Sequence, residues 1–273
     1  MRSANSAWRN RVSQSANAAD IFSLKGRVAL ITGASSGLGE RFAEVAAANG
    51  ASVVLTARRE DKLKEIAARI ERNGGKAIGV ACDVTGNASM AKAFDAAEKA
   101  FGTVDLFVAN AGMARLGKVI EMPEAEYRAL MALDMDAVFF NSSEAARRMV
   151  AANKQGCIIT TASIAAFIVE RNIVAYNMAK AAVMQFTKGF ALEMARKNIR
   201  VNAIAPGYVV TDINREFLLS PKGQAAQEKL PLARYGEVDD LDGVFLLLAS
   251  QASRWMTGST VVIDGGHILT AGS

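Results

Sequence analysis

The chain has 273 residues, 51% of them hydrophobic and 22% charged, a mixture that excludes a peptide, a collagen-like polymer and a disordered tail. The net charge is +5, but acids and bases alternate along helix-like stretches such as 57–72, which reads as solvated faces and not as a nucleic-acid-binding stripe. One histidine, His267, leaves no basis for a His-rich zinc site or for a triad built on an upstream imidazole, so no metal is expected and proton chemistry falls to other groups. Cys82 and Cys157 sit alone in apolar runs, which suits buried thiols in a reducing compartment and points to the cytoplasm. No apolar run reaches the roughly 18 residues of a membrane span.

Residues 1–24 carry Arg2, Arg9 and Arg11 with no acid before Asp20 and are rich in Ser and Ala. They read as a flexible N-terminal extension, compatible with a targeting or partner-binding arm. From Lys25 the pattern changes. Short β-branched runs at 27–32, 51–56, 77–82, 104–109, 157–162, 199–204 and 259–264 alternate with amphipathic stretches such as 37–50, 61–75 and 87–102. The runs are almost continuously apolar, as expected of strands covered on both faces, and several of the intervening stretches end in Gly or Asn-Gly, a left-handed helix stop. The expected fold class is α/β: a single-domain, Rossmann-like, doubly wound parallel sheet of about seven strands with helices on both faces, spanning 25–273. Two places break the rhythm, the long interval between the runs at 104 and 157 and the irregular stretch from 205 to about 230. Ligands in such sheets bind beyond the carboxyl ends of strands, so these intervals are expected to carry the site.

After the first run comes TGASSGLG at 32–39. Gly33, Gly37 and Gly39 allow a tight turn, a close approach to a pyrophosphate and packing of the next helix, whose N-terminus favours an anion. Turn glycines without a ligand are the bland alternative, and the strand–turn–helix context weighs against it. The second run ends in LTAR, where an acid would take the ribose hydroxyls of NAD; Ala57, Arg58 and Arg59 stand there instead. Two guanidinium groups suit a 2′-phosphate, so NADP(H) is the preferred cofactor and NAD(H) the alternative. Arg59 is equally spaced to pair with helix acids.

Ser163 is followed by Tyr176 and Lys180. At i,i+4 on a helix the last two share a face, placing an ammonium near a phenol. A phenol of pKa about 10 is a poor acid or base near neutrality, and each unit by which a cation lowers it is worth about 1.4 kcal/mol.

TGASSGLG at 32–39, NAG at 110–112, Ser163, YNMAK at 176–180, PGYVVTD at 206–212 and TGSTVVIDGG at 257–266 together resemble the short-chain dehydrogenase/reductase family, over residues 24–268 and near its oxoacyl-carrier reductases. The resemblance implies that Tyr176 is the acid–base residue, that Lys180 holds the nicotinamide ribose and lowers the tyrosine pKa, and that Ser163 hydrogen-bonds the substrate oxygen. Ser35, Ser36 and Leu38 fall in the phosphate loop it implies. Asp83 and Val84 match adenine-contacting positions, and Asn110, Ala111 and Gly112 the adenine–ribose side. Pro206, Gly207, Val209 and Thr211 match the loop that holds the carboxamide and pyrophosphate. One position departs from the pattern: in LDMDAVFF, Asp134 stands where the family has an asparagine that orders a relay water. Three outcomes follow from that: a relay with altered pH dependence, a slower enzyme, or a protein whose catalysis is secondary.

Ile213, Phe217, Leu218 and Leu219 make an apolar lid within 213–230, and Phe167, Ile168 and Val169 add an apolar wall, so a hydrophobic ketone or alcohol is the expected substrate. Lys154 and Lys197 fall near positions where the family's oxoacyl reductases meet an acidic carrier. The Ala- and Met-rich helices expected at 122–152 and 173–197 suit a homotetramer or homodimer, and His267 is expected at the surface or a subunit contact. The expected function is an NADP(H)-dependent oxidoreductase interconverting a ketone or oxoacyl group and a secondary alcohol. The alternatives are an NAD(H)-dependent alcohol, steroid or sugar dehydrogenase and, from another class, a dinucleotide-binding regulatory or scaffold protein with weak activity.

Overall fold

Apolar runs cannot leave their backbone amides and carbonyls unpaired in an interior, and here seven of them satisfy one another as parallel strands. In the computed structural model, which describes residues 17–212 and 214–270, these are β1 (Val28–Thr32), β2 (Ser52–Ala57), β3 (Lys76–Ala81), β4 (Leu106–Ala109), β5 (Gly156–Thr161), β6 (Ile199–Pro206) and β7 (Thr260–Ile263). Each overlaps one of the seven runs read from sequence, and β2, β3, β5 and β6 extend one or two residues beyond theirs. Their spatial order is β3-β2-β1-β4-β5-β6-β7, so the chain winds outward from β1, then returns to continue on its other side. The switch between β1 and β4 opens a crevice at the carboxyl ends of the strands.

The helices are α1 (Ala18–Ile21), α2 (Gly37–Ala48), α3 (Glu60–Arg72), α4 (Asn87–Phe101), α5 (Glu124–Met131), α6 (Ala137–Ala151), α7 (Val174–Met194), α8 (Arg215–Leu218), α9 (Pro221–Gln227), α10 (Asp242–Ala249) and α11 (His267–Thr270). Side chains of β1 alternate between the two faces of the sheet, and the cores divide accordingly. Ala29 and Ile31 join Phe42, Leu63, Ile66 and Phe245 from α2, α3 and α10. Val28 and Leu30 join Phe94, Met149 and Val183 from α4, α6 and α7. Phe42 and Phe245 stack with ring centroids 4.7 Å apart and planes within 11°, tying α2 to α10 across the whole chain length.

Three expectations are modified. Full cover on both faces holds for the central strands; edge strand β3 exposes Lys76, Gly79 and Ala81, and β7 is only half-buried. The single long helix expected at 122–152 is two helices, α5 and α6, joined by a π-helical turn at Ala132–Asp136, where the Ala137 amide donates to the Ala132 carbonyl. Within the expected flexible extension, residues 18–21 form α1, and Leu24 is fully buried with its amide bonded to the Asn49 carbonyl at 2.9 Å. Arg2, Arg9 and Arg11 lie outside the described residues. Both cysteines are buried and unbridged, and no helix among the described residues is long and apolar enough to cross a membrane.

Truncating Phe42 to Ala removes one ring of a fully buried stack, and a loss of about 3–5 kcal/mol is expected in denaturant unfolding. A loss below about 1 kcal/mol would show that α2 and α10 hold together without it.

Candidate active site

The site is built around the end of β1. The buried Thr32 hydroxyl donates to the Val108 carbonyl at 3.2 Å and accepts from the Asn110 and Ala111 amides at 2.9 and 3.0 Å. The Asn110 side-chain amide donates to the Thr32 carbonyl at 3.0 Å. These bonds hold the 110–112 loop against the glycine turn so tightly that a Cβ on Gly39 would lie 2.4 Å from the Gly33 carbonyl oxygen and 2.6 Å from Asn110 Nδ2. Gly39 therefore serves the packing of α2 on β1. Gly33 has φ +67° and Gly37 φ +58°, the left-handed conformation that turns the loop over the start of α2.

Between this loop and the ends of β2 to β4 lies a cavity of about 910 Å³. Its walls include Gly33, Ser35, Ser36, Gly37, Leu38, Arg58, Arg59, Asp83, Val84, Asn110, Ala111, Gly112 and Thr211, thirteen positions singled out from sequence. Gly39, Pro206, Gly207 and Val209 are not in its walls. Gly207 packs on Asp264, whose Cα would lie 2.8 Å from an added Cβ, and Val209 is buried. The two arginines differ. Arg59 folds back over the loop and donates to the Ser35 hydroxyl at 3.0 Å and the Ser36 hydroxyl at 2.8 Å. Arg58 is exposed at the cavity wall, and its guanidinium makes no hydrogen bond or ion pair among the described residues. The Asp83 carboxyl accepts from the Thr85 amide and hydroxyl at 2.9 and 2.8 Å. Those bonds, with Arg58 as a weaker contributor, hold it below the ordinary carboxylate range.

At the far end the cavity meets the second constellation through Gly112, where an added Cβ would fall 2.6 Å from Asp134 Oδ1 and 3.3 Å from Lys180 Nζ. Lys180 and Asp134 are both buried and form an ion pair at 3.0 Å. Lys180 also donates to the Thr161 carbonyl at 3.1 Å, and the Met113 amide donates to the Asp134 carboxylate at 3.1 Å. Burial pulls the ammonium's pKa down, but the Tyr176 phenol and the Asp134 carboxylate outweigh it, and the net shift is upward from 10.5. Lys180 Nζ lies 5.4 Å from the Tyr176 ring centroid. Ser163 ends the loop after β5 and caps a 3₁₀ turn, its hydroxyl accepting from the Ala165 amide at 3.1 Å. Asn177, beside Tyr176, pins that loop by donating to the Ala165 and Ile168 carbonyls at 2.7 and 3.0 Å.

The expected apolar walls are incomplete. Leu218 is a core residue, packed with Val210, Leu230 and Tyr235, whereas Phe217, Leu219 and Phe167 are about half exposed and Val169 is 88% exposed. Ile213 lies outside the described residues. Lys154 and Lys197 are exposed two residues before β5 and β6, at the amino ends of those strands. His267 is half-buried and stacks on Tyr208 with centroids 5.5 Å apart. Sequence reasoning passed over Cys82, Thr85, Met113, Leu133 and Asp212, which line the cavity, and the Thr32 hub. Thr32 had a weak signal, a lone hydroxyl closing an apolar strand beside the glycine turn.

A family model described as Enoyl-(Acyl carrier protein) reductase matches residues 33–267. The protein named "Uncharacterized oxidoreductase YgcW" of Escherichia coli (strain K12) is 36% identical over 92% of this chain and 95% of its own length. D-Threitol dehydrogenase of Mycolicibacterium smegmatis is 33% identical over 91% of this chain and 95% of its own. The crystal structure of a gluconate 5-dehydrogenase from Burkholderia cenocepacia, in complex with NADP and tartrate, superposes with a TM-score of 0.87 at 35% identity, covering 92% of this chain and 98% of that one. The chain belongs to the short-chain dehydrogenase/reductase family and is an oxidoreductase of CH–OH groups that uses a nicotinamide dinucleotide.

Replacing Asp134 by Ala leaves the buried ammonium with only the Thr161 carbonyl as a fixed acceptor. A destabilisation of about 3 kcal/mol is expected near neutral pH, the lower end for breaking a buried pair. A raised lysine pKa contributes stability that is complete below 10.5 and is lost as pH climbs through the folded value. The gap between wild type and variant should therefore narrow at alkaline pH. Unfolding curves with a constant gap through that window would refute the pairing as its source.

Proposed function

We propose that the protein is an NADP(H)-dependent oxidoreductase interconverting a ketone and a secondary alcohol, with Tyr176 as the acid–base residue. The observation that carries this reading is a buried ammonium 5.4 Å from the Tyr176 ring centroid, at one end of a cavity rimmed by a glycine turn. The fit to a dinucleotide rests on the cavity itself, walled by backbone turns and polar side chains and large enough for an extended ligand. Gly33, Ser36, Gly37 and Leu38 would hold its pyrophosphate at the N-terminus of α2. Asp83 and Val84 would border the adenine, and Thr211 the far side of the phosphate loop. When bound, the nicotinamide exchanges a hydride with the substrate carbon.

In the reducing direction Tyr176 donates its phenolic proton to the carbonyl oxygen, and in the oxidising direction it accepts the proton of the alcohol. Lys180 stays protonated because its pKa is raised, so its positive charge favours the phenolate at the moment the proton leaves. Asp134 partly offsets that charge. Ser163 offers a hydroxyl to the developing negative charge on the substrate oxygen. Arg58, exposed at the cavity wall, supports the preference for a 2′-phosphate, with Arg59 bracing the serines of the loop.

Assembly of copies is supported by an aromatic row on α6 and α7. Phe139 and Phe140 are half exposed, and Phe139, Phe186 and Phe190 follow one another with centroids 5.4 and 5.1 Å apart. Such a row suits a homo-oligomer built through these helices.

Arg58→Ala should weaken NADPH binding by about tenfold or more while leaving NADH nearly unchanged, as titrated by nicotinamide fluorescence. Equal weakening of both cofactors would overturn the phosphate assignment. Tyr176→Phe should lower kcat by about 100-fold or more with unchanged NADPH affinity. Retained turnover would remove Tyr176 from proton transfer.

A further inference from the structure

Glu170 lies on the loop between Ser163 and Tyr176, and Tyr208 follows the Pro206-Gly207 turn at the carboxyl end of β6. Thirty-eight residues apart in sequence, they meet: the Tyr208 hydroxyl donates to Glu170 Oε2 at 2.7 Å. Neither residue is used by the proton transfer described above. The Tyr208 ring is clamped, stacked on His267 with planes 28° apart and edge-on to Tyr235 with centroids 5.9 Å apart. Burial and then the Glu170 carboxylate push the Tyr208 phenol's pKa upward, so the hydroxyl keeps its proton and keeps donating. Both residues sit at the carboxyl end of the sheet, Glu170 on the segment between β5 and α7 and Tyr208 on the segment that follows β6. Glu170 itself is half-buried, and its second oxygen, Oε1, accepts no hydrogen bond among the described residues.

A carboxylate oriented by one oxygen and open at the other is a fixed acceptor with a negative charge. It rewards a hydroxyl donor and repels a second carboxylate, and it gains nothing from a hydrocarbon. We infer that Glu170, held in place by Tyr208, is a specificity-determining acceptor for a substrate hydroxyl outside the reacting centre, and selects neutral polyhydroxylated substrates over sugar acids and plain aliphatic alcohols. The inference rests on the hydride-transfer reading of this site and adds to it the substrate class. The half-exposed Phe167, Phe217 and Leu219 agree with it, since they do not close a dry pocket.

The test uses the full chain with NADP⁺ and three kinds of probe: neutral pentitols and hexitols, D-gluconate, and 2-hexanol. The expected result is a best polyol whose kcat/KM exceeds that of gluconate and of 2-hexanol by about tenfold or more. Glu170→Gln should erase most of that preference through KM, leaving 2-hexanol turnover and NADPH affinity unchanged. Tyr208→Phe should act in the same direction. A Gln variant that scales all three probes by one factor would make the pair a loop strap and overturn the inference, as would a wild-type preference for gluconate or 2-hexanol. Saturation-transfer NMR on the NADP⁺-loaded protein separates this from failure of the proposed reaction. Polyol contact that depends on Glu170 but yields no turnover upholds the Glu170 assignment and overturns the oxidoreductase role of Tyr176. Turnover indifferent to Glu170 does the reverse, and absence of both contact and turnover overturns both.

Discussion

An ammonium ion in a protein interior is the constraint around which this site is arranged. Removing such a charge from water costs several kcal/mol, and the native state tolerates it only where fixed partners surround it. For Lys180 those partners come from separate elements: the Asp134 carboxylate from the turn between α5 and α6, the Thr161 carbonyl from the end of β5, and the Tyr176 phenol one turn earlier on α7. Bringing them together fixes the spacing of three elements at once. Gly112 is caught in the same convergence, since any larger side chain would strike the ion pair. The charge thus sets the electrostatics around the Tyr176 phenol and leaves room for nothing larger than glycine at position 112.

The two halves of the cleft are held by different physics. Around the glycine turn, side chain–backbone bonds tie together segments far apart in sequence: the Thr32 hydroxyl, the Asn110 amide and the glycine turn leave almost no free space. The segment after β6 has its own small core of Val210, Leu218, Leu230 and Tyr235, apart from the main cores that flank the sheet. A segment with few buried contacts opens at lower free energy than the sheet it rests on. The rigid half suits a ligand shared across a whole family, and the looser half suits the part of the ligand that differs.

What was legible in the sequence follows from what is local. The seven strands could be read because central strands of a doubly wound sheet need apolar residues on both faces, and the pattern weakened where the structure is an edge, at β3 and β7. The glycine turn, the arginines after β2, and Tyr176 with Lys180 are spacings within one turn or one helix, so periodicity places them. Asp134 was legible only as a departure from a pattern, and the fold brings it within 3.0 Å of Lys180. The Thr32 hub left only a weak trace and the Glu170–Tyr208 pair none, because each joins distant segments through tertiary packing.

The π-helical turn at Ala132–Asp136 has a consequence for what the chain tolerates. A π turn uses about one residue more than the α-helical turn it replaces for nearly the same rotation, so the extra residue is absorbed as a local widening and not as a phase shift between α5 and α6. Deleting a single residue there would restore a regular α-helix with its two halves close to their present phase. What it would remove is the widened turn itself, and Asp134, which meets Lys180, lies inside that turn. The flanking helices should therefore survive a deletion that the buried ion pair would not.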